Sequence, residues 1–252
     1  MIPEPEEPLR SNLEKEQPMR GTVQKTLSPG EAFEFGAAVM QQLGRDIDPD
    51  KARHYIRNKG QLGKDLRKLG IHKMPEFDTA EWERFYLKHF SHVDLSGLHV
   101  PPKPDYQCRA VVIVTGITNN IVFDACTKAF KTWRYTNDLN TVTDVVQRPS
   151  GPYVVWVRET VEADPDLANK SAEDIEKAGI NTLTLKERMV LELKHFDETG
   201  KHLDIENVTL CAGSRHSGGG VPRADWVGGE FYVDWCSADY RGSDLRARVA
   251  VS

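Results

Sequence analysis

From Ser28 onward apolar positions recur at helical spacing, and the breaks between them carry capping residues. Ser28-Pro29-Gly30-Glu31 supplies an N-cap hydroxyl, a proline at the first helical position and a glutamate at N3, which together satisfy N–H groups that a helix start leaves unpaired. Phe33, Ala37, Met40 and Leu43 then trace one face up to Gly44. Asp48-Pro49 opens a second helix carrying Ala52, Tyr55 and Ile56 and closing near Gly60. Leu62, Leu66 and Leu69 suggest a third, stopped at Gly70. Asp78-Thr79-Ala80-Glu81 is another capping box, leading into Trp82, Phe85, Tyr86 and Phe90. Residues 28–104 thus predict a small all-helical unit, ended by Pro101, Pro102 and Pro104. Before it, residues 1–27 set Pro3, Pro5, Pro8 and Pro18 among glutamates with few apolar residues, which predicts a flexible arm.

Beyond Pro104 the period changes. Arg109 to Thr115 reads as a buried strand, Asn120 to Phe130 as a short helix with Val122, Cys126 and Phe130 inward, and Tyr153 to Val157 as a second strand. Ser171-Ala172-Glu173-Asp174 starts a short acidic helix. Leu185 to Glu198 is the strongest helical pattern, with Thr184 and Glu187 as capping box, Gly200 as stop and a stripe of Leu185, Met189, Leu193 and Phe196. Strand-like Val208 to Cys211, Gly-rich loops around Phe231 to Trp235, and Leu245 to Val251 follow. The order predicts an α+β domain over residues 105–252.

Composition narrows the function classes. With 39% hydrophobic residues the chain has enough apolar surface to fold, and a formal charge of −5 with scattered Lys and Arg argues against a nucleic-acid footprint. No stretch is apolar enough for a membrane helix and no secretory signal opens the chain, so a cytoplasmic protein is the default expectation. Cys108, Cys126, Cys211 and Cys236 share no CxxC spacing and read as reduced core residues.

The last 42 residues differ from the rest. Residues 211–252 contain no Lys, Gln, Met, Asn, Thr or Ile, although these six types supply 62 of the preceding 210 residues, so the tail has a composition of its own. Frame-like residues alternate there with small or polar ones. In FYVDWC, alternation puts Phe231, Val233 and Trp235 on one face and Tyr232, Asp234 and Cys236 on the other. A strand that buries one face and shows Tyr, Asp and Cys to water, flanked by Gly, Ser, Arg and Tyr loops, has the composition of a binding surface.

Four segments carry a resemblance: WRYTNDL (Trp133 to Leu139), YVVWVRE (Tyr153 to Glu159), ETGKHLDIENVTLCAGSR (Glu198 to Arg215) and the terminal LRARVAVS. Through them the region from about Cys108 to Ser252 resembles the variable target proteins of diversity-generating retroelements, whose C-type-lectin fold is related to formylglycine-generating enzymes. The resemblance implies a C-type-lectin-like domain and a hypervariable ligand-binding surface diversified by adenine-directed mutagenesis, with no catalysis, metal or cofactor. Codons reached from AAC or AAT cannot encode Lys, Gln, Met, Glu or Trp, which fits the missing Lys, Gln and Met but does not account for Asn, Thr and Ile. Carried over by their place between frame residues, the variable positions are His216, Gly218, Gly220, Arg223, Asp225, Val227, Gly228, Tyr232, Asp234, Cys236, Tyr240, Arg241, Gly242 and Ser243. Trp226, Phe231, Trp235 and Arg246 are the implied scaffold anchors. The implied partner is an unidentified macromolecule, expected to be a protein, with no nucleic acid and no membrane insertion; oligomerisation is left open.

Rival chemistries have weaker patterns. His89, His92 and His99 could ligate a metal, but no Cys or carboxylate set completes the site. Ser214 and His216 lack a GxSxG context, and Gly218-Gly219-Gly220 lacks the Lys and Ser/Thr of a phosphate loop. The run from Glu159 to Asp166 lacks calcium-loop spacing and reads as a solvated loop. Trp133 reads as a packing anchor after a helix. Two alternatives stay open: a formylglycine-generating-enzyme-like oxidase using Cys211 and Cys236, and a structural or assembly module.

Overall fold

The computed structural model describes residues 77–252 except 105 and 106, together with residues 48, 50, 53, 54, 57 and 58. The chain divides into two compact units, Met1–Lys59 and Gly60–Ser252. In the first, residues 50, 53, 54 and 57 are helical, and the Asp50 N–H donates to the Asp48 carboxylate at 2.9 Å, the cap expected of Asp48-Pro49. The expected arm, the helix from Ser28 and the helix through Leu62 to Leu69 lie outside the described residues.

In the second unit helix α1 (Thr79–His89) starts on Asp78, whose carboxylate accepts from the Ala80 N–H. Glu81 does not close the expected capping box; it pairs with Lys194 on a later helix. Trp82, Phe85 and Tyr86 are buried in the main core, and the Tyr86 hydroxyl donates to the Val112 carbonyl at 2.7 Å. The proline stretch is docked as well, since the Trp156 indole N–H donates to the Pro101 carbonyl at 2.8 Å.

Strand β1 (Cys108–Ile113) forms where the β-branched apolar run places it and helix α2 (Asn119–Ala129) starts on the Thr118 cap, followed by the short strands β2 (Thr132–Arg134) and β3 (Thr143–Asp144). Strand β4 (Tyr153–Arg158) is buried on both faces, as its unbroken apolar run requires. Helices α3 (Ala172–Lys177) and α4 (Leu185–Thr199) both carry complete capping boxes, and Gly200 ends α4 in the left-handed region at φ 66°. Strands β5 (Val208–Leu210), β6 (Ser214–Arg215), β7 (Val221–Val227), β8 (Glu230–Cys236) and β9 (Leu245–Arg246) complete the unit. β1 pairs with β4, β3 with β6, and the third sheet is mixed, in the order β2-β8-β7-β5-β9. This is an α+β architecture. The C-terminal segment runs back along the domain, bridging Trp156 with Val251 and Thr182 with Val249.

One face of the five-stranded sheet lies on α4 and joins the main core through Ala224, Phe231 and Val233. Part of the other face is covered by a second cluster in which Leu167, Ala172 and Ile175 meet Leu210, Val221 and Leu245. Helix α4 is not the simple stripe its sequence suggests, because Glu187, Arg188, Glu192 and Lys194 are buried beside its apolar residues. Burial of these charges requires partners. Arg188 donates to Asp204 at 3.0 Å and to Glu192 at 2.8 Å, and Arg248 donates to the other Asp204 oxygen at 2.7 Å and to the Val161 carbonyl at 2.7 Å. Glu187 accepts from Arg148 at 2.7 Å and from the Tyr153 hydroxyl at 3.0 Å as well as capping α4.

The run from Glu159 to Asp166 is the solvated loop expected of it only in part: Glu159, Thr160, Val161, Pro165 and Asp166 are exposed. Glu162, however, accepts from the backbone N–H groups of Ile205, Glu206 and Asn207, and buried Asp164 accepts from the Val249 N–H at 2.7 Å, so these two carboxylates cap chain segments distant in sequence. All four cysteines are free thiols, three of them buried. No described helix is long and apolar enough to cross a membrane.

Candidate binding face

The β7–β8 hairpin is held by seven in-register pairs and turns at Gly228-Gly229, both at positive φ (62° and 82°), as a two-residue hairpin loop demands. Pairing sorts its side chains. Trp226, Ala224 and Pro222 oppose Phe231, Val233 and Trp235 on the core side, whereas Asp225 opposes Tyr232 and Arg223 opposes Asp234 on the outer side. β2 adds Trp133 in register with Tyr232, so one row runs Trp133, Tyr232, Asp225 across three strands. The indole and phenol rings are stacked, 4.2 Å between centroids and 13° between planes.

Charge on this face is unevenly paired. Arg223 donates to Asp234 at 2.9 Å. The Asp225 carboxylate makes no hydrogen bond or ion pair with any described residue. Burial lifts its carboxyl to about 6; Arg188 and Arg223 oppose the rise, and Asp204 and Asp244 add to it. Cys236 ends the strand half-buried, with its thiol raised by burial.

The structure brings Arg223, Asp225, Tyr232, Asp234 and Cys236 together on this outer face, with Val227 and Gly228 at its turn end. The remaining expected positions gather at the opposite end of the hairpin, in two groups. His216 lies edge-on to Tyr135 at 5.6 Å and near-parallel to Trp235, with Nδ1 accepting from Gly218. Tyr240, Arg241, Gly242 and Ser243 form the loop after β8, where Arg241 is fixed to Asp174 by two bonds of 2.7 and 2.8 Å.

Three expectations need correction. Trp235 is not a buried anchor: it is 48% exposed, because β8 runs past the edge of the core that covers Phe231 and Val233. Gly220 is buried, not displayed, and a Cβ there would stand 2.6 Å from Trp235 Cε3. Trp133 is no packing anchor but 39% exposed on the open face. Its place depends on parallel pairing of β2 with a strand about a hundred residues away, which leaves no local sequence signal. Trp226 is partly buried, its ring stacked on His202 at 3.2 Å, and Arg246 is partly buried on β9.

The rival residues have structural tasks. Ser214 is buried, donates to Asp144 at 2.9 Å and accepts from the Leu185 N–H, away from any histidine partner. His89 contacts Asp197 at 3.1 Å at the α1–α4 contact. Among the described residues no group of three or more His, Cys, Asp or Glu is placed to hold a metal ion. Cys211 is fully buried, its thiol pushed up to about 12 by loss of solvent.

No protein-family model, no curated protein and no solved structure matches the chain.

Proposed function

We propose that residues 105–252, within the second unit, form a C-type-lectin-like binding domain whose outer hairpin face displays interchangeable side chains to a macromolecular ligand, a protein by expectation, as in the variable proteins of diversity-generating retroelements. The observation that carries this reading is the division of the middle of the hairpin into two faces. Ala224, Phe231 and Val233 are fully buried, while Arg223, Asp225, Tyr232 and Asp234, all expected to vary, alternate with them on the open side. Substitution on such a face leaves the frame beneath it intact, so sequence can change there within about 1 kcal/mol per site. Tyr and Trp offer broad contact area at low entropic cost, and Asp, Arg and Ser adapt around them.

The oxidase alternative has less support. A thiol as fully buried as Cys211, with its ionisation pushed up to about 12, is a poor nucleophile near neutrality. Sequencing the gene's neighbourhood and its sibling copies tests the proposal. The expected result is a near-copy of the 3′ end that differs at adenines, with substitutions concentrated between His216 and Asp244. Substitutions spread evenly along the chain would overturn it and favour an assembly module.

A further inference from the structure

We propose that the outer face of β2, β8 and β7 captures an arginine side chain presented by a protein partner, held between the Tyr232 ring and the Asp225 carboxylate. The inference rests on reading this face as a binding surface, but not on its being hypervariable.

Three observations converge on a planar cation. Trp133 occupies one face of the Tyr232 ring, stacked at 4.2 Å, so the other face turns toward β7, where Asp225 is the cross-strand partner of Tyr232. The Asp225 carboxylate has no hydrogen-bond or ion-pair partner, whereas Asp234 pairs with Arg223, and Asp204 with Arg188 and Arg248. Of the charged groups acting on Asp225, Arg188 and Arg223 favour its ionised form more than Asp204 and Asp244 oppose it, but both arginines are already engaged, Arg188 by Glu192 and Asp204 and Arg223 by Asp234. The carboxylate is therefore free to take a cation from outside; an anionic ligand meets like charge at Asp225, and a neutral one leaves it without an ion-pair partner. A guanidinium meets both requirements at once: its plane stacks on an aromatic face, and its paired N–H groups match a carboxylate.

The same geometry makes capture sensitive to pH. The carboxyl titrates at about 6. Above that value it is anionic and receives the guanidinium; as pH falls through it, a proton takes the cation's place and capture is lost.

The test uses the full chain and, as probe, N-acetyl-arginine methylamide, with the citrulline analogue as neutral isostere, followed by NMR at the Trp133 indole. At pH 7.5 the arginine probe is expected to shift the indole saturably and at least tenfold more tightly than citrulline, with that preference gone at pH 5. Asp225→Asn should remove the preference at pH 7.5. Tyr232→Leu, which keeps the carboxylate, should weaken the arginine probe several-fold and serves if the first variant fails to fold. Equal binding of the two probes, or unchanged arginine binding in either variant, overturns the inference. Panning random peptides on the wild-type chain separates the two readings. Binders that lack basic residues and still shift the Trp133 indole would end the arginine assignment and leave the binding face standing; absence of any ligand at this face would end both.

Discussion

Asp225 shows how one side chain can set a pH dependence. Its carboxyl is raised from the ordinary 3.8 to about 6 by burial on the sheet face. A carboxyl that binds its proton more tightly when folded detracts from stability at neutral pH, and the penalty fades as pH falls through 6 and is gone below 3.8. Asp225→Asn is therefore expected to stabilise the chain at pH 7.5 by about 1 kcal/mol, after allowance for solvent screening, with no gain at pH 3.5. Urea unfolding at the two pH values reads the difference. Two glycines make a contrasting pair. A Cβ at Gly213 meets the Thr182 and Leu183 carbonyl oxygens at 2.8 and 3.0 Å, and backbone cannot step aside. A Cβ at Gly220 is crowded only by the Trp235 ring, which is half-exposed and can turn, and meets the Cys236 carbonyl oxygen at an ordinary 3.4 Å. Gly213→Ala is expected to cost about 2–3 kcal/mol and Gly220→Ala about 1 kcal/mol, the latter with a change in tryptophan emission. The reverse order in chemical denaturation would contradict the packing described.

At the scale of elements, α4 was the most legible. Thr184, Glu187 and Gly200 announced its ends, and both the capping box and the left-handed stop are present. What its sequence concealed is the second duty of Glu187, which also holds Arg148 and the Tyr153 hydroxyl. Thr184→Ala removes a cap alone and should cost about 1 kcal/mol. Glu187→Gln strips the charge that balances buried Arg148 and should cost about 3 kcal/mol or more. Differential scanning calorimetry on the two variants separates these duties, and equal losses would mean that the cap is all Glu187 supplies. The hairpin was half legible. FYVDWC disclosed its alternation, but its partner β7 contains Pro222 and reads as loop, since what makes it a strand is its pairing with β8 and β5.

Across the whole molecule, one buried charge cluster joins segments far apart in the chain. Asp204 lies in the left-handed region at φ 53° and is held by Arg188 from α4, Arg248 from the C-terminal segment and Thr209 from β5, while its carbonyl accepts from Trp226 on β7 at 3.0 Å. The sheet that carries the binding face is in this way anchored to α4 and to the returning C-terminus. Arg248→Met leaves Asp204 with one cation and should cost about 3 kcal/mol, lowering the melting temperature by about 6–12 °C. A shift below about 2 °C would show that the cluster does not hold the sheet.

Local chemistry, readable along the chain, determined the helix starts at Asp48, Asp78, Ser171 and Thr184, the buried strands at residues 108–113 and 153–158, and the two-faced pattern of residues 231–234. Each depends on neighbours within a few residues, where spacing alone decides which groups meet. Tertiary structure decided the rest: that β2 lies beside β8 and exposes Trp133, that Trp235 extends past the core, that Glu162 and Asp164 cap distant backbone, and that Asp225 is left unpaired. Those outcomes depend on contacts between residues tens to about a hundred positions apart, and no periodicity records them.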